Sequence, residues 1–251
     1  MNYVKFGAGK KTFVIIPGLS VHSVTGIADG IAAAYKDFAD EYTVYLFDRA
    51  DNIRDGYTVR EMAADTAAAM RELGIEKADI FGASQGGMIS LYLAADFPEL
   101  VRSIAVGSSL AAPNENFRKV ISEWVNLAEK KDERGLIESF IDNVYSKKTL
   151  DLYRESLISS NLGITDKEYE RFIILARACL TFDCRSELRK IKCPVLVIGA
   201  EGDRVTTADR SRELAALLPE CECYIYGGEY GHGVYDEAPD YKKRLLEFFG
   251  R

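Results

Sequence analysis

The chain has 251 residues, 47% hydrophobic and 28% charged, with a formal net charge of −7. That length supplies one large α/β domain, or such a domain with an insertion, and the composition leaves little room for extended disorder or for two independent domains. A net negative chain without a Lys/Arg stripe repels phosphate backbones and anionic bilayers, which excludes nucleic acid and membrane as expected partners.

In chain order, Met1 to Gly7 lack the charged start and long apolar run of a secretory signal. No apolar stretch approaches the roughly 20 residues that span a bilayer, so the expected location is cytoplasmic. Thr12 to Ile16 is the first continuous apolar run, closed by the turn Pro17-Gly18-Leu19-Ser20, with His22 just beyond. The alanine-rich stretch Gly26 to Phe38 has a helical pattern. Thr43 to Phe47 is the next strand-like run and ends at Asp48-Arg49. Glu61 to Leu73 repeats apolar residues at helical spacing and stops at Gly74.

Ala78 to Phe81 then leads directly into Gly82-Ala83-Ser84-Gln85-Gly86 and the helix-like Gly87 to Leu93. A serine held at a sharp strand-to-helix turn has a strained backbone and a presented hydroxyl. Glycines two residues to either side let strand and helix approach without Cβ clashes. The following helix aims its free N–H groups and positive dipole end at the same point, which favours the negative charge formed when a serine attacks a carbonyl. Ser84 is the candidate nucleophile.

After the strand-like Ser103 to Val106 the rhythm breaks. From about Ala112 to Asp183 no strand is predicted. Helical periods follow at Val120, Trp124 and Ala128, at Leu136, Phe140 and Val144, and at Tyr169, Phe172 and Ala176. Helices inserted after a strand of an open α/β sheet stand where ligands bind, so residues 112–183 read as a lid over Ser84; the alternative is that they only thicken the core. The predicted core is then 1–111 with 184–251. Trp124, Phe140, Tyr145 and Phe172, with Gly18, Ser20 and His22 from the first loop, are candidate substrate-pocket residues.

Pro194 to Ile198 and Cys223 to Tyr226 are the last strand-like runs, with a helical pattern over Ala208 to Leu218 between them. Most runs are continuous rather than alternating, as for parallel strands covered on both faces. The succession predicts a doubly wound, mostly parallel sheet with helices on both sides.

A serine hydroxyl needs a base, commonly a histidine oriented by a carboxylate. Only His22 and His232 are available, and His232, in Gly231-His232-Gly233 after the last strand, is the candidate. Asp203, immediately past Val195 to Ile198, is the candidate carboxylate, with Glu201 and Asp209 as competitors and a helix-capping role as its structural alternative. The candidate oxyanion donors are the backbone N–H groups of Gln85 and Leu19, although Pro17-Gly18 also reads as a plain strand-ending turn. Five cysteines, Cys179, Cys184, Cys193, Cys221 and Cys223, form no CxxC pair and read as reduced, mostly buried thiols. With two histidines and no clustered acidic loop, neither a metal nor another cofactor is expected.

Together, Pro17-Gly18-Leu19, Asp48-Arg49, Gly82 to Gly86, Asp203 and Gly231-His232 resemble the α/β-hydrolase superfamily, specifically its small lidded serine hydrolases, over about Thr12 to Phe249. The resemblance implies a mostly parallel sheet with a helical cap, about seven strands, and Ser84, Asp203 and His232 as triad. Members commonly carry His-Gly where this chain has Pro17-Gly18, which removes a side chain that often braces the oxyanion loop; His22 is a candidate substitute. The implied activity is hydrolysis of a small to medium carboxylic ester through an acyl-enzyme. Thioester, amide or carbon–carbon cleavage uses the same triad, peroxide can intercept the same acyl-enzyme, and a small-molecule receptor with a slow triad is the reading from another class.

Overall fold

Strands form where short apolar runs end in turn residues. In the computed structural model, which describes residues 1–251, seven of them make one sheet. The elements are β1 (Tyr3–Phe6), β2 (Lys11–Ile16), α1 (Ala28–Ala34), β3 (Tyr42–Phe47), α2 (Val59–Glu72), β4 (Ala78–Ala83), α3 (Gln85–Asp96) and β5 (Val101–Gly107). There follow α4 (Glu115–Glu129), α5 (Glu133–Val144), α6 (Lys147–Ser160), α7 (Asp166–Leu180), β6 (Val195–Ala200), α8 (Ala208–Leu217), β7 (Cys221–Tyr226), α9 (Val234–Glu237) and α10 (Tyr241–Phe249).

The strand order is β1-β3-β2-β4-β5-β6-β7, parallel throughout except for the antiparallel pairing of β1 with β3. This is the α/β-hydrolase fold. Every residue of β4 and β6 is buried between the two helical layers, Asp79 of β4 included, whose carboxylate accepts from Ser103 Oγ and from Arg102. The last strand departs from that expectation. β7 is an edge strand with Glu222, Cys223 and Tyr224 exposed, because only β6 pairs with it. Cys223 is therefore exposed, and only Cys179 and Cys184 of the five thiols are fully buried.

Two apolar clusters lie on the sheet. One of 54 residues includes Val14, Ile80 and Val106 together with Val120, Phe172 and Ala176 from the helices between β5 and β6. The other, of 21 residues, includes Phe13, Phe81, Ile198 and Tyr241.

Local signals fix the helix starts. Thr58 and Glu61 form a reciprocal capping box at α2, and Thr165 and Glu168 do the same at α7. The predicted helix over 26–38 is broken: α1 is flanked by short 3-10 turns at Val24–Ile27 and Lys36–Phe38. Two longer helices escape the periodicity argument. In α6 only Ile158 is fully buried, with Leu150 and Leu157 partly covered, so its apolar stripe is weak; α10 follows the last recognisable strand. No helix is long and apolar enough to cross a membrane.

Candidate active site

The β4–α3 junction has the geometry that its sequence demands. Ser84 has φ 52° and ψ −115°, a conformation costly for a residue with a side chain. It is held there because its N–H donates to the Gly107 carbonyl at 2.7 Å, while its own carbonyl accepts from Gly87 N–H and from Ser109 Oγ, both at 2.9 Å. The flanking glycines are steric necessities. A Cβ on Gly82 would lie 2.3 Å from the Gly86 carbonyl oxygen, and one on Gly86 would lie 2.0 Å from that of Ile16. The result is a serine that is only partly covered, followed by a fully buried first turn of α3.

His232 lies past β7, in the loop that enters α9, and is 3% exposed. Its Nδ1 lies 3.0 and 3.1 Å from the two carboxylate oxygens of Asp203, past the end of β6. Asp203 also accepts from the N–H groups of Val205 and Thr206 and from Thr206 Oγ1. Burial pushes its carboxyl upward, but His232 and these donors outweigh it and hold the group below its ordinary value. Asp203 thus orients the imidazole and also caps the turn before α8. The competing acids are elsewhere: Glu201 and Asp209 pair with Arg212 at the surface.

The His232 loop is tied down from two sides. Ser108 Oγ donates to the His232 carbonyl at 2.7 Å, and Gly233 N–H donates to Val144 at the end of α5 at 2.8 Å. The Glu237 carboxylate accepts from both Gly231 N–H and Ser146 N–H.

Ser84 and His232 face one narrow cavity, without a direct hydrogen bond between Oγ and the ring, together with Gly18, Leu19, Trp124 and Phe140. Its free volume is about 20 Å³, room for little more than one water molecule. Leu19 lines it too, and its backbone N–H donates to no protein acceptor; Gln85, directly after Ser84, opens α3. An unpaired backbone donor and a helix N-terminus near a partly exposed serine, with an oriented imidazole close by, can polarise a carbonyl and move a proton.

Residues 11–239 match the family described as alpha/beta hydrolase fold. The chain belongs to the α/β-hydrolase family. Among relatives of this α/β hydrolase, a protein named "Putative carbamate hydrolase RutD" from Pseudomonas savastanoi pv. phaseolicola is 26% identical, with 88% of this chain and 87% of the relative covered. A "2-hydroxy-6-oxononadienedioate/2-hydroxy-6-oxononatrienedioate hydrolase" from Paraburkholderia phymatum is also 26% identical, over 100% and 91%. The crystal structure of MGS-M2, an alpha/beta hydrolase enzyme from a Medee basin deep-sea metagenome library, superposes with a TM-score of 0.89 at 24% identity, covering 100% and 94%. That likeness is one of fold.

Four of the predicted pocket residues of this α/β hydrolase lie outside the cavity lining, each for a visible reason. Ser20 turns its hydroxyl to the His22 carbonyl. His22 spends both ring nitrogens on the helical segment, with Nδ1 2.8 Å from Glu168 Oε1 and Nε2 2.8 Å from the Asn161 carbonyl. Tyr145 packs against Gly233, and Phe172 is buried in the larger apolar cluster. Phe117, Ile121, Val144, Cys179 and Tyr235 complete the lining instead.

The brace for the Pro17-Gly18 turn is Arg49 rather than His22. Its guanidinium donates to the Pro17 carbonyl at 2.6 Å and to Gln85 Oε1 at 3.2 Å, so it ties both donor-bearing segments together. Asp48 links this unit outward, accepting from Ser23 Oγ and from Arg171 of α7. Arg49, Ser108, Ser109 and Thr206 were not singled out as functional from sequence. The available signal is position: Arg49, Ser108 and Ser109 stand within two residues of the carboxyl ends of β3 and β5, and Thr206 in the loop that leaves β6.

Proposed function

We propose that this α/β hydrolase is a serine hydrolase that cleaves a carboxylic ester of a small to medium substrate. Ser84 Oγ attacks the carbonyl carbon while His232 takes its proton, and the N–H groups of Leu19 and Gln85 hold the oxyanion. Collapse expels the alcohol, protonated by His232, and leaves an acyl group on Ser84. Water, deprotonated by His232, then releases the acid. Asp203 keeps the imidazole in the tautomer with Nδ1–H. The single observation that carries this reading is the strained, partly exposed Ser84 sharing a cavity with an imidazole held by a buried carboxylate.

In this reading α4 to α7 act as the lid. With about 20 Å³ free, admission of any ester requires these helices to shift. The loosest of them is α6, where Leu152 and Tyr153 are 65% and 57% exposed.

Carbamate cleavage is the second reading, favoured by the relatives that carry that name and are similar over most of the chain. Thioester, amide and carbon–carbon cleavage are compatible with the same groups, as is a slow, ligand-sensing role. The test is hydrolysis of p-nitrophenyl esters from acetate to decanoate beside a small N-alkyl carbamate ester, with Ser84→Ala in parallel. Ester turnover that falls at least several hundred-fold in Ser84→Ala supports the proposal. Carbamate turnover alone transfers it to the second reading, and equal activity of variant and wild type sinks both.

A further inference from the structure

The α4 and α5 side of the cavity is built from Phe117, Ile121, Trp124, Phe140 and Val144. Four of these are plain hydrocarbon side chains. Trp124 is not, since its indole carries an N–H that can donate but not accept. The residue is 2% exposed and its ring is fixed against Phe140, with centroids 4.6 Å apart. Its Nε1 is buried and has no hydrogen-bond partner anywhere in the protein. Buried polar groups are nearly always paired, because an unpaired donor forfeits its hydration without replacement. Phenylalanine would fill an apolar wall without that cost. A ligand bearing an acceptor would remove it.

We propose that Trp124 Nε1–H is a substrate-recognition donor. The preferred substrates are then short esters that carry a second oxygen acceptor, such as an ether, hydroxyl or carbonyl, in the portion lying against α4 and α5. Plain alkanoate esters of equal size are poorer because they enter the cavity and leave the indole unpaired. This inference rests on the proposed hydrolase reading for its kinetic consequence, though not for binding.

The chain offers a direct probe, because Trp124 is its one tryptophan. Emission excited at the red edge of the absorption band, where the tyrosines do not absorb, therefore reports the indole at the cavity. Hydrogen bonding at an indole N–H moves its emission to the red. The experiment titrates Ser84→Ala with two ester pairs matched in size, ethyl methoxyacetate against ethyl butyrate and 2-methoxyethyl acetate against butyl acetate. A red shift with the oxygen-bearing member of either pair, absent with its hydrocarbon counterpart, is expected, and the responding pair assigns the acceptor to the acyl or the alcohol side.

The same four esters are then hydrolysed by wild type and Trp124→Phe. Intrinsic reactivity cancels when the kcat/KM ratio within a pair is compared between the two enzymes. That ratio should fall about tenfold in the variant for the responding pair, the scale of one buried hydrogen bond. Equal emission responses within both pairs, no response to any ester, or a ratio unchanged in Trp124→Phe overturns the proposal; an ordered water pairing the indole would give the first of these. A selective red shift without ester turnover by wild type keeps the donor and removes the hydrolase reading.

Discussion

Replacing Arg49 by Met tests whether the Pro17-Gly18 turn, the proposed oxyanion turn, is held by a guanidinium. Arg49 is 4% exposed, and burial, with Arg171 nearby, pushes its pKa down to about 10 despite Asp48 beside it. Met fills much of the space but leaves the Pro17 carbonyl and Gln85 Oε1 without this donor. Each lost partner costs about 1–3 kcal/mol, and relief of the buried charge offsets part of this, for a net loss of about 2–4 kcal/mol. Catalysis should suffer more specifically. If the Leu19 N–H drifts from the oxyanion position, kcat on p-nitrophenyl butyrate should fall about 100-fold or more, the scale of one misplaced donor, with KM little changed. Arg49→Lys, which keeps the charge without the fork, should recover only part of kcat. Steady-state kinetics and thermal melts on the three proteins decide the matter. A variant that melts earlier yet keeps kcat within threefold would show that Arg49 supports the fold and not the oxyanion site, and the argument would fail.

Two further outcomes follow from the site. Gly86→Ala places a Cβ 2.0 Å from the Ile16 carbonyl oxygen, with backbone on both sides, and should give insoluble or strongly destabilised protein; a soluble variant with wild-type melting temperature would contradict the packing described. His22 donates to both Glu168 and the Asn161 carbonyl only when protonated. Burial lowers its pKa, but the Asn161 carbonyl and Glu168 outweigh this and raise it above the ordinary 6.5. A raised folded value means that its contribution is complete below pH about 6.5 and is lost as pH climbs through that higher value. Hydrogen exchange of α7 amides, corrected for intrinsic rates, should lose protection across that window in wild type but not in His22→Gln. Protection independent of pH in wild type would refute the role.

Much of this arrangement is legible in the amino-acid sequence. Gly82 to Gly86 is readable because the turn demands glycine at both ends, where a Cβ would collide with backbone, and because a strand-like run leads into it and a helix-like one follows. Asp203 and His232 were readable because short apolar strands end just before them, and chemistry gathers at strand ends. What stayed hidden depended on contacts between residues far apart in sequence. Whether His22 lines a pocket or grips a helix is decided by Glu168 and Asn161, about 140 residues away. The brace at Arg49 depends on a carbonyl 32 residues earlier. The helix α6 is harder to read for a different reason: only Ile158 is fully buried, Leu150 and Leu157 are partly covered and Leu152 and Tyr153 face outward, so its apolar stripe is weaker than those of α4 and α7.

The larger apolar cluster runs without a break from β2, β4 and β5 into α4 and α7. Roof and floor of the cavity should therefore melt as one unit, which makes residues 112–183 a poor candidate for exchange as a cassette. A chimera that imports the helices of a relative would have to import the side chains beneath them as well. In a lineage of such proteins, drift in substrate preference and drift in thermal stability would be coupled at the same positions. Preference could change most freely at cavity residues backed by the loosely packed α6, and least at those backed by α7.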